Sequence, residues 1–261
     1  MRAWERLTLV YFGWLIVASF VRRLPASRRL QITGTSVVMI LIVSVVARGA
    51  DGVIRQWAAL LYILVGYFAS GRFFVHSSET AEAWLMAWDR RWFGDPPATF
   101  AAWPRLLRLY LEIVYMGCFL LLPVGFAVLL LAGRADFADK YWTVLTATEF
   151  GAFAPLAVFE TRPPWVLERR TAQSLGAVDR LAAYAVRNFT IGASTFPSGH
   201  AAASLGVAFA LTSAVPATGW IVLPLALSIC VACVSGRYHY VVDVLAGAAL
   251  AIAVGVLVLL Y

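Results

Sequence analysis

Long stretches without a single charged residue set the terms on which this chain can fold. Uncharged runs occupy 7–21, 31–47, 56–71, 113–133, 201–236 and 244–261, and 141–159 is interrupted only by Glu149. A bilayer crossing takes about 20 apolar residues, and somewhat shorter runs suffice. The 36 residues of 201–236 are too many for one crossing and suit two, with "VPATG" at 215–219 supplying a turn. Each half is then about 18 residues, or about 27 Å of helix. Backbone exposed to lipid must satisfy its own hydrogen bonds, so the runs are expected to be helices. The predicted fold is an all-α, polytopic integral-membrane bundle of about eight transmembrane helices, a single domain over 1–261.

Composition agrees. Only 13% of residues are charged and 62% are hydrophobic, against roughly 25% and about 45–50% in soluble domains. The first run, "LTLVYFGWLIVASFV", reads as a membrane segment rather than a removable leader. Cys118, Cys230 and Cys233 all sit in apolar runs, and the C-x-x-C of the last two lacks a second pair or a nearby histidine. They are expected to be small buried hydrophobes. The net charge is +7, and Lys140 is the one lysine among 21 basic residues. Arginine in such excess suits bidentate phosphate contacts and lipid headgroups. Without a basic helix or an aromatic-interleaved soluble module, nucleic acid is not an expected partner.

Residues 72–105 differ from the runs. Trp84, Leu85, Trp88 and Trp92 recur at helical spacing beside Asp89, Arg90 and Arg91, and "GDPP" follows. This pattern fits an interfacial amphipathic helix ended by the prolines, or equally an aromatic belt that anchors the protein. The catalytic half is expected at 106–261, with 160–196 as its long polar loop.

Two of the three histidines bracket the doubled run: His200 in "TFPSGHAAAS" and His239 in "RYHYVVDVLAG". Two crossings return the chain to the same face, so the two can meet. His239 and Asp243 are spaced i, i+4, which places both on one helix face. The carboxylate can hold one ring proton and leave the other nitrogen as nucleophile or base; a structural hydrogen bond is the plainer reading. Pro197 suits the first helical position, leaving the amides of Ser198, Gly199 and His200 as an anion site. Ser198 adds a hydroxyl, Gly199 permits close approach, and His200 suits a general acid. Arg162, before Pro163 and Pro164, reaches the same face by counting crossings and can clamp a phosphate. Glu149 is costly within a membrane unless paired, and either meets an arginine or lines a lipid access path. His76 reads as an ordinary loop histidine, Tyr238 and Tyr240 as interfacial packing, and Asn188-Phe189-Thr190 matches a glycosylation acceptor.

The pieces "RPP", "TFPSGH" and "RYHYVVD" resemble the signature of the type 2 phosphatidic acid phosphatase superfamily, membrane relatives of vanadium haloperoxidases, over roughly residues 140–261. The resemblance implies a six-helix catalytic core and a metal-independent enzyme with no cofactor. It implies His239 as the nucleophile that becomes a phosphohistidine, Asp243 as its orienting group and His200 as the leaving-group acid. Ser198, Gly199 and Arg162 are then phosphate ligands, and the substrate is a lipid phosphate or phospholipid drawn from the membrane. Two positions depart from the pattern: Pro155 stands where the family has a lysine, and Cys233 where it has an arginine. Arg237 can replace that arginine only from just outside the helix, a geometry Gly236 permits. The short "R-x-H-Y-x-x-D" with "WDRRWFGDPP" upstream resembles the inositol-phosphoceramide-synthase branch, which passes the head group to an alcohol acceptor. A transporter or scaffold on the same fold is the remaining class, and retention of His200, His239 and Asp243 argues against it.

On which side the site lies, two expectations conflict. Fifteen of the 21 basic residues fall on the predicted site face, among them Arg22, Arg23, Arg28, Arg29, Arg90, Arg91, Arg169 and Arg170. The positive-inside rule would place that face in the cytoplasm. The resemblance points outward, and because several of these arginines serve the substrate, the extracytoplasmic side is the expectation adopted.

Overall fold

The computed structural model describes residues 1–49, 52–168 and 190–261, and the Asn188-Phe189-Thr190 match and Arg169 and Arg170 therefore fall wholly or partly outside the described residues. Each uncharged run forms a helix, and among the described residues no strand is present beyond a single antiparallel bridge between Thr161 and Ser194. The helices in chain order are α1 (Ala3–Val21), α2 (Ala26–Gly49), α3 (Gly52–Gly71), α4 (Glu79–Phe93), α5 (Pro96–Ala101) and α6 (Arg105–Leu131). They continue with α7 (Ala138–Phe153), the single turn α8 (Pro164–Leu167), α9 (Gly199–Ala214), α10 (Pro216–Ser235) and α11 (Val241–Gly255).

Six helices are long and apolar enough to cross a membrane: α1, α2, α3, α6, α10 and α11 with its extension to Leu260. The two remaining runs give the shorter helices α7 and α9, of 16 residues each. Their position compensates for their length. Nearly every side chain of α9 is buried, and it packs against α6, α7, α10 and α11. Its sequence explains this, since Ala, Gly and Ser predominate over "GHAAASLGVAFALTSA" and small residues let neighbouring backbones approach closely.

The 201–236 run folds back as expected, but the turn is tighter than "VPATG" suggested. Val215 alone separates the helices, and Pro216 opens α10 at the position where its missing N–H costs nothing. The closeness is visible at Gly219, where an added Cβ would lie 2.3 Å from the Thr212 backbone. The Arg134 guanidinium bonds the Ala214 carbonyl, placing a positive charge at the C-terminal end of α9.

A second close approach fixes the other end of α9. At Gly247 of α11 an added Cβ would lie 2.5 Å from the Ser198 carbonyl oxygen. A Gly247→Ala substitution is therefore expected to cost about 1–3 kcal/mol by overpacking, read as a lower melting temperature in detergent. Gly117→Ala on α6, where nothing lies within 4 Å, should leave the melting temperature unchanged or slightly raised.

Candidate active site

Three loops converge at one end of the bundle: 158–163 after α7, 190–198 before α9, and 236–240 between α10 and α11. Backbone bonds tie them together. Ser194 N–H donates to the Thr161 carbonyl (2.8 Å), Trp165 N–H to the Arg237 carbonyl (3.0 Å) and Ser198 N–H to the Asp243 carbonyl (2.9 Å). The amides of Tyr238 and His239 both turn back to the Cys233 carbonyl, each at 3.0 Å.

The start of α9 differs from the expectation in one respect. Pro197 is not the first helical residue: it follows a cis Phe196–Pro197 bond, and the helix begins at Gly199 with Ser198 as its cap. The Ser198 hydroxyl accepts from Ala201 N–H at 3.4 Å, the role for which serine is suited at that position. The Gly199 amide donates to Thr195 Oγ1 at 3.1 Å. The amides of Ser198 and Gly199, expected to face an anion, are thus occupied by Asp243 and Thr195.

The two histidines meet. His239 Nε2 lies 3.3 Å from His200 Nδ1. On the other side of its ring, His239 Nδ1 lies 3.2 Å from Ser194 Oγ and 3.4 Å from Asp243 Oδ2. Ser194 has one hydroxyl hydrogen and gives it to Asp243 Oδ2 at 2.9 Å. Toward His239 it must therefore accept, which puts a hydrogen on His239 Nδ1. The Nε2 atom is left with its lone pair, and the contact with His200 requires the hydrogen there to sit on His200 Nδ1. Asp243 also receives Tyr240 N–H at 3.2 Å. Ser194 gave no signal in the sequence, because it lies 45 residues from His239 in a polar loop.

His200 is held from its far side by aromatic rings. Tyr115 of α6 stacks on it with centroids 5.0 Å apart, and Phe119 meets it edge-on at 5.2 Å. Tyr115 in turn stacks on Tyr238 at 3.8 Å, and the Tyr238 hydroxyl donates to Glu112 at 2.6 Å. Tyr238 thus does more than pack at an interface, because it supports the ring that supports His200. Beside the histidines opens a cavity of about 230 Å³, walled mainly by apolar side chains of α3, α6, α7 and α9.

The two arginines stand apart from this pair. Arg162 is gripped by Glu82 of α4, whose carboxylate takes the backbone N–H (2.7 Å), Nε (3.0 Å) and Nη2 (2.7 Å). Burial pushes the Glu82 carboxyl up, but the Arg162 bonds outweigh it and hold it below the usual range. Arg237 does lie just outside α10, as expected, yet the left-handed conformation is its own (φ 59°), while Gly236 is right-handed. Its guanidinium bonds Glu168 at 2.8 and 2.6 Å and Asp89 at 2.7 Å. Burial raises the Asp89 carboxyl above its ordinary value even with Arg237 and Val241 N–H against it. Among the described residues neither guanidinium bonds His200 or His239, and both are occupied by carboxylates.

Two of these carboxylates, Glu82 and Asp89, come from a second, inward stripe of α4. Trp84, Trp88 and Trp92 are 38–56% exposed, whereas Glu82, Leu85 and Asp89 face inward and are at most 3% exposed. The spacing 82, 85, 89 is the signal that was available. Among the described residues no group of three His, Cys, Asp or Glu side chains is placed to hold a metal ion.

Because the Glu82 carboxyl is lowered on folding, its pairing stabilises the fold above the unfolded carboxylate range and is lost as pH falls through the folded value. Glu82→Gln should therefore lower the melting temperature at pH 7, equivalent to about 1 kcal/mol for a pair with a part-exposed arginine, and the difference from wild type should close as the pH is taken below 4.

One family model matches the chain, that of the PAP2 superfamily, over residues 83–257. That stretch runs from α4 through α11 and so takes in all three loops and both histidines. No curated protein and no solved structure matches the chain. A match over this much of the sequence places the protein in a superfamily of phosphatase-type enzymes: the chain is a multi-pass membrane member of the PAP2 superfamily.

Proposed function

We propose that this chain is a metal-independent membrane phosphoesterase that removes phosphate from a lipid phosphate through a phosphohistidine at His239. The observation that carries the reading is the contact of His239 Nε2 with His200 Nδ1 at 3.3 Å, at the edge of an apolar cavity. A phosphoester inserted between the two rings meets a lone pair on one side and a proton on the other. His239 Nε2 attacks phosphorus, the N–P bond forms, the P–O bond to the lipid breaks, and the leaving oxygen takes a proton from His200 in its protonated form, which leaves a neutral ring. Water then attacks the phosphohistidine, giving its proton to His200 as the N–P bond breaks. Asp243 and Ser194 hold the Nδ1 hydrogen of His239 and stabilise the ring as positive charge develops.

Arg162 and Arg237 are the proposed phosphate ligands; Ser198 and Gly199, expected beside them, would join only by giving up their amide bonds to Asp243 and Thr195. For the arginines this means sharing their donors between carboxylate and phosphate, because Glu82 and Asp89 are buried and need their guanidinium partners. In this reading the exposed tryptophan stripe of α4, within the 72–105 segment, is assigned to the headgroup layer, the site to the extracytoplasmic side and the chemistry to the 106–261 half. A second reading has an alcohol replace water in the resolving step, as in the inositol-phosphoceramide-synthase branch. The apolar walls of the cavity beside His239 favour it, since they suit an organic acceptor.

Phosphate release from a panel of lipid phosphates by purified protein in detergent and chelator tests the first reading. His239→Ala should lower turnover by about 10³-fold or more and His200→Ala by about 10²–10⁴-fold, with wild-type activity unaffected by chelator. Full activity in His239→Ala would end the mechanism. With glycerol or inositol added, a phosphorylated alcohol at the expense of free phosphate would favour the transferase reading, and its absence at saturating alcohol the hydrolase.

A further inference from the structure

Among the described residues, buried carboxylates come with partners, with one exception. Glu5 meets Arg55, Glu82 meets Arg162, Asp89 meets Arg237 and Glu160 meets Arg22, while Glu112 takes the Tyr238 hydroxyl and Asp243 serves Ser194 and Tyr240. Glu149 of α7 is 8% exposed, and among the described residues its carboxyl has no hydrogen-bond or ion-pair partner. It lines the same cavity as His200 and His239, as do Phe153, Leu122 and Leu64. Its Oε2 abuts the first turn of α9, 3.1 Å from where a Cβ on Gly199 would sit, one residue from His200. The Nε2 of His200 is likewise buried without a partner among the described residues.

An unpaired carboxyl in an apolar wall is a cost to folding that a leucine would not carry. A hydrogen-bonding ligand in the cavity would supply the missing partner. Phosphate suits the position poorly: an ionised carboxylate repels it, and the carbonyl oxygen of a protonated carboxyl would still be left without a donor. A hydroxyl does suit it: it is neutral, it can donate to the carboxyl oxygen, and it leaves the apolar walls to hydrocarbon. We propose that Glu149 is a specificity-determining residue that pairs with a hydroxyl group lying close to the reacting phosphoester. This deepens the proposed function, on which it rests for the location of substrate. The hydroxyl has two sources with the same chemistry: the lipid itself, in a monoacyl or sphingoid-type phosphate, or the acceptor alcohol of the transferase reading.

A site that satisfies a buried polar group with a substrate hydroxyl discriminates against the analogue lacking it, because the group is left unpaired. The test compares monoacylglycerol phosphate with its analogue bearing hydrogen in place of the free hydroxyl. Binding is measured to full-length protein carrying His239→Ala, so that it reads whether or not the chain turns over. The hydroxyl-bearing lipid should bind about 10-fold or more tightly, with the preference collapsing to within about 2-fold when Glu149→Leu is added and surviving at least in part in Glu149→Gln. A second arm uses the His239-containing protein, the deoxy lipid and glycerol. Here loss of glycerol phosphate in Glu149→Leu, with phosphate release retained, assigns the hydroxyl to the acceptor. Glu149→Leu should melt no lower than the parent, so a loss of preference is not a loss of fold. Equal binding of the two lipids by the Glu149-bearing protein, together with no change in glycerol transfer in Glu149→Leu, overturns the proposal. Absence of all turnover strikes the phosphatase reading instead and leaves the binding comparison to decide this one.

Discussion

The hydrogen bond from Ser198 N–H to the Asp243 carbonyl joins the first turn of α9 to the first turn of α11, and the site depends on that joint. One partner precedes His200 by two residues and the other follows His239 by four, so the bond sets the distance between the rings. Gly247 lets α11 cross directly over the Ser198 carbonyl, and the Val215 turn returns the chain to meet it. A helix of 16 residues, packed among α6, α7, α10 and α11, is thereby fixed at both ends. The result is preorganisation: His200 and His239 are held by packing and hydrogen bonds that involve no substrate.

Each of the two arginines near the histidines is matched by a carboxylate of α4, which keeps a desolvated charge from standing alone. Glu82 and Asp89 on the inner stripe of α4 pair with Arg162 and Arg237, which flank the histidines in sequence or space. The helix that offers tryptophans to its outer surroundings therefore also supplies the anions that hold the arginines. The placement of these guanidiniums and the seating of α4 are coupled through the same carboxylates.

Much of this was legible in the sequence for physical reasons that can be named. Uncharged runs forced helices, and the doubled run between His200 and His239 forced the two rings to one side. The i, i+4 spacing of His239 and Asp243 needed no long-range information. What failed needed it. Period alone does not say which stripe of α4 turns inward, and the tryptophans drew attention away from Glu82 and Asp89. Pro197 fits a helix start in isolation, but Ser198 makes the better cap, and the amides expected to await an anion were already bonded across the fold. Ser194 and Thr195 act through partners in other elements or through a bent loop, which no local pattern announces. Pro155 and Cys233 stand where the resemblance implies basic residues, and Arg237, the candidate replacement for the second, is held by Glu168 and Asp89.

The one-residue turn at Val215 leaves the molecule lopsided. On that side α9 and α10 join with nothing projecting beyond the helix ends, and the link between α6 and α7 is a short turn pinned by Arg134 to the end of α9. On the opposite side lie α4, α5, α8 and the three convergent loops. The blunt side is thus a scaffold floor, on which a label or fusion could be carried without reaching the chemistry. Diversification of what the protein recognises is confined to the crowded side and to the cavity that descends from it.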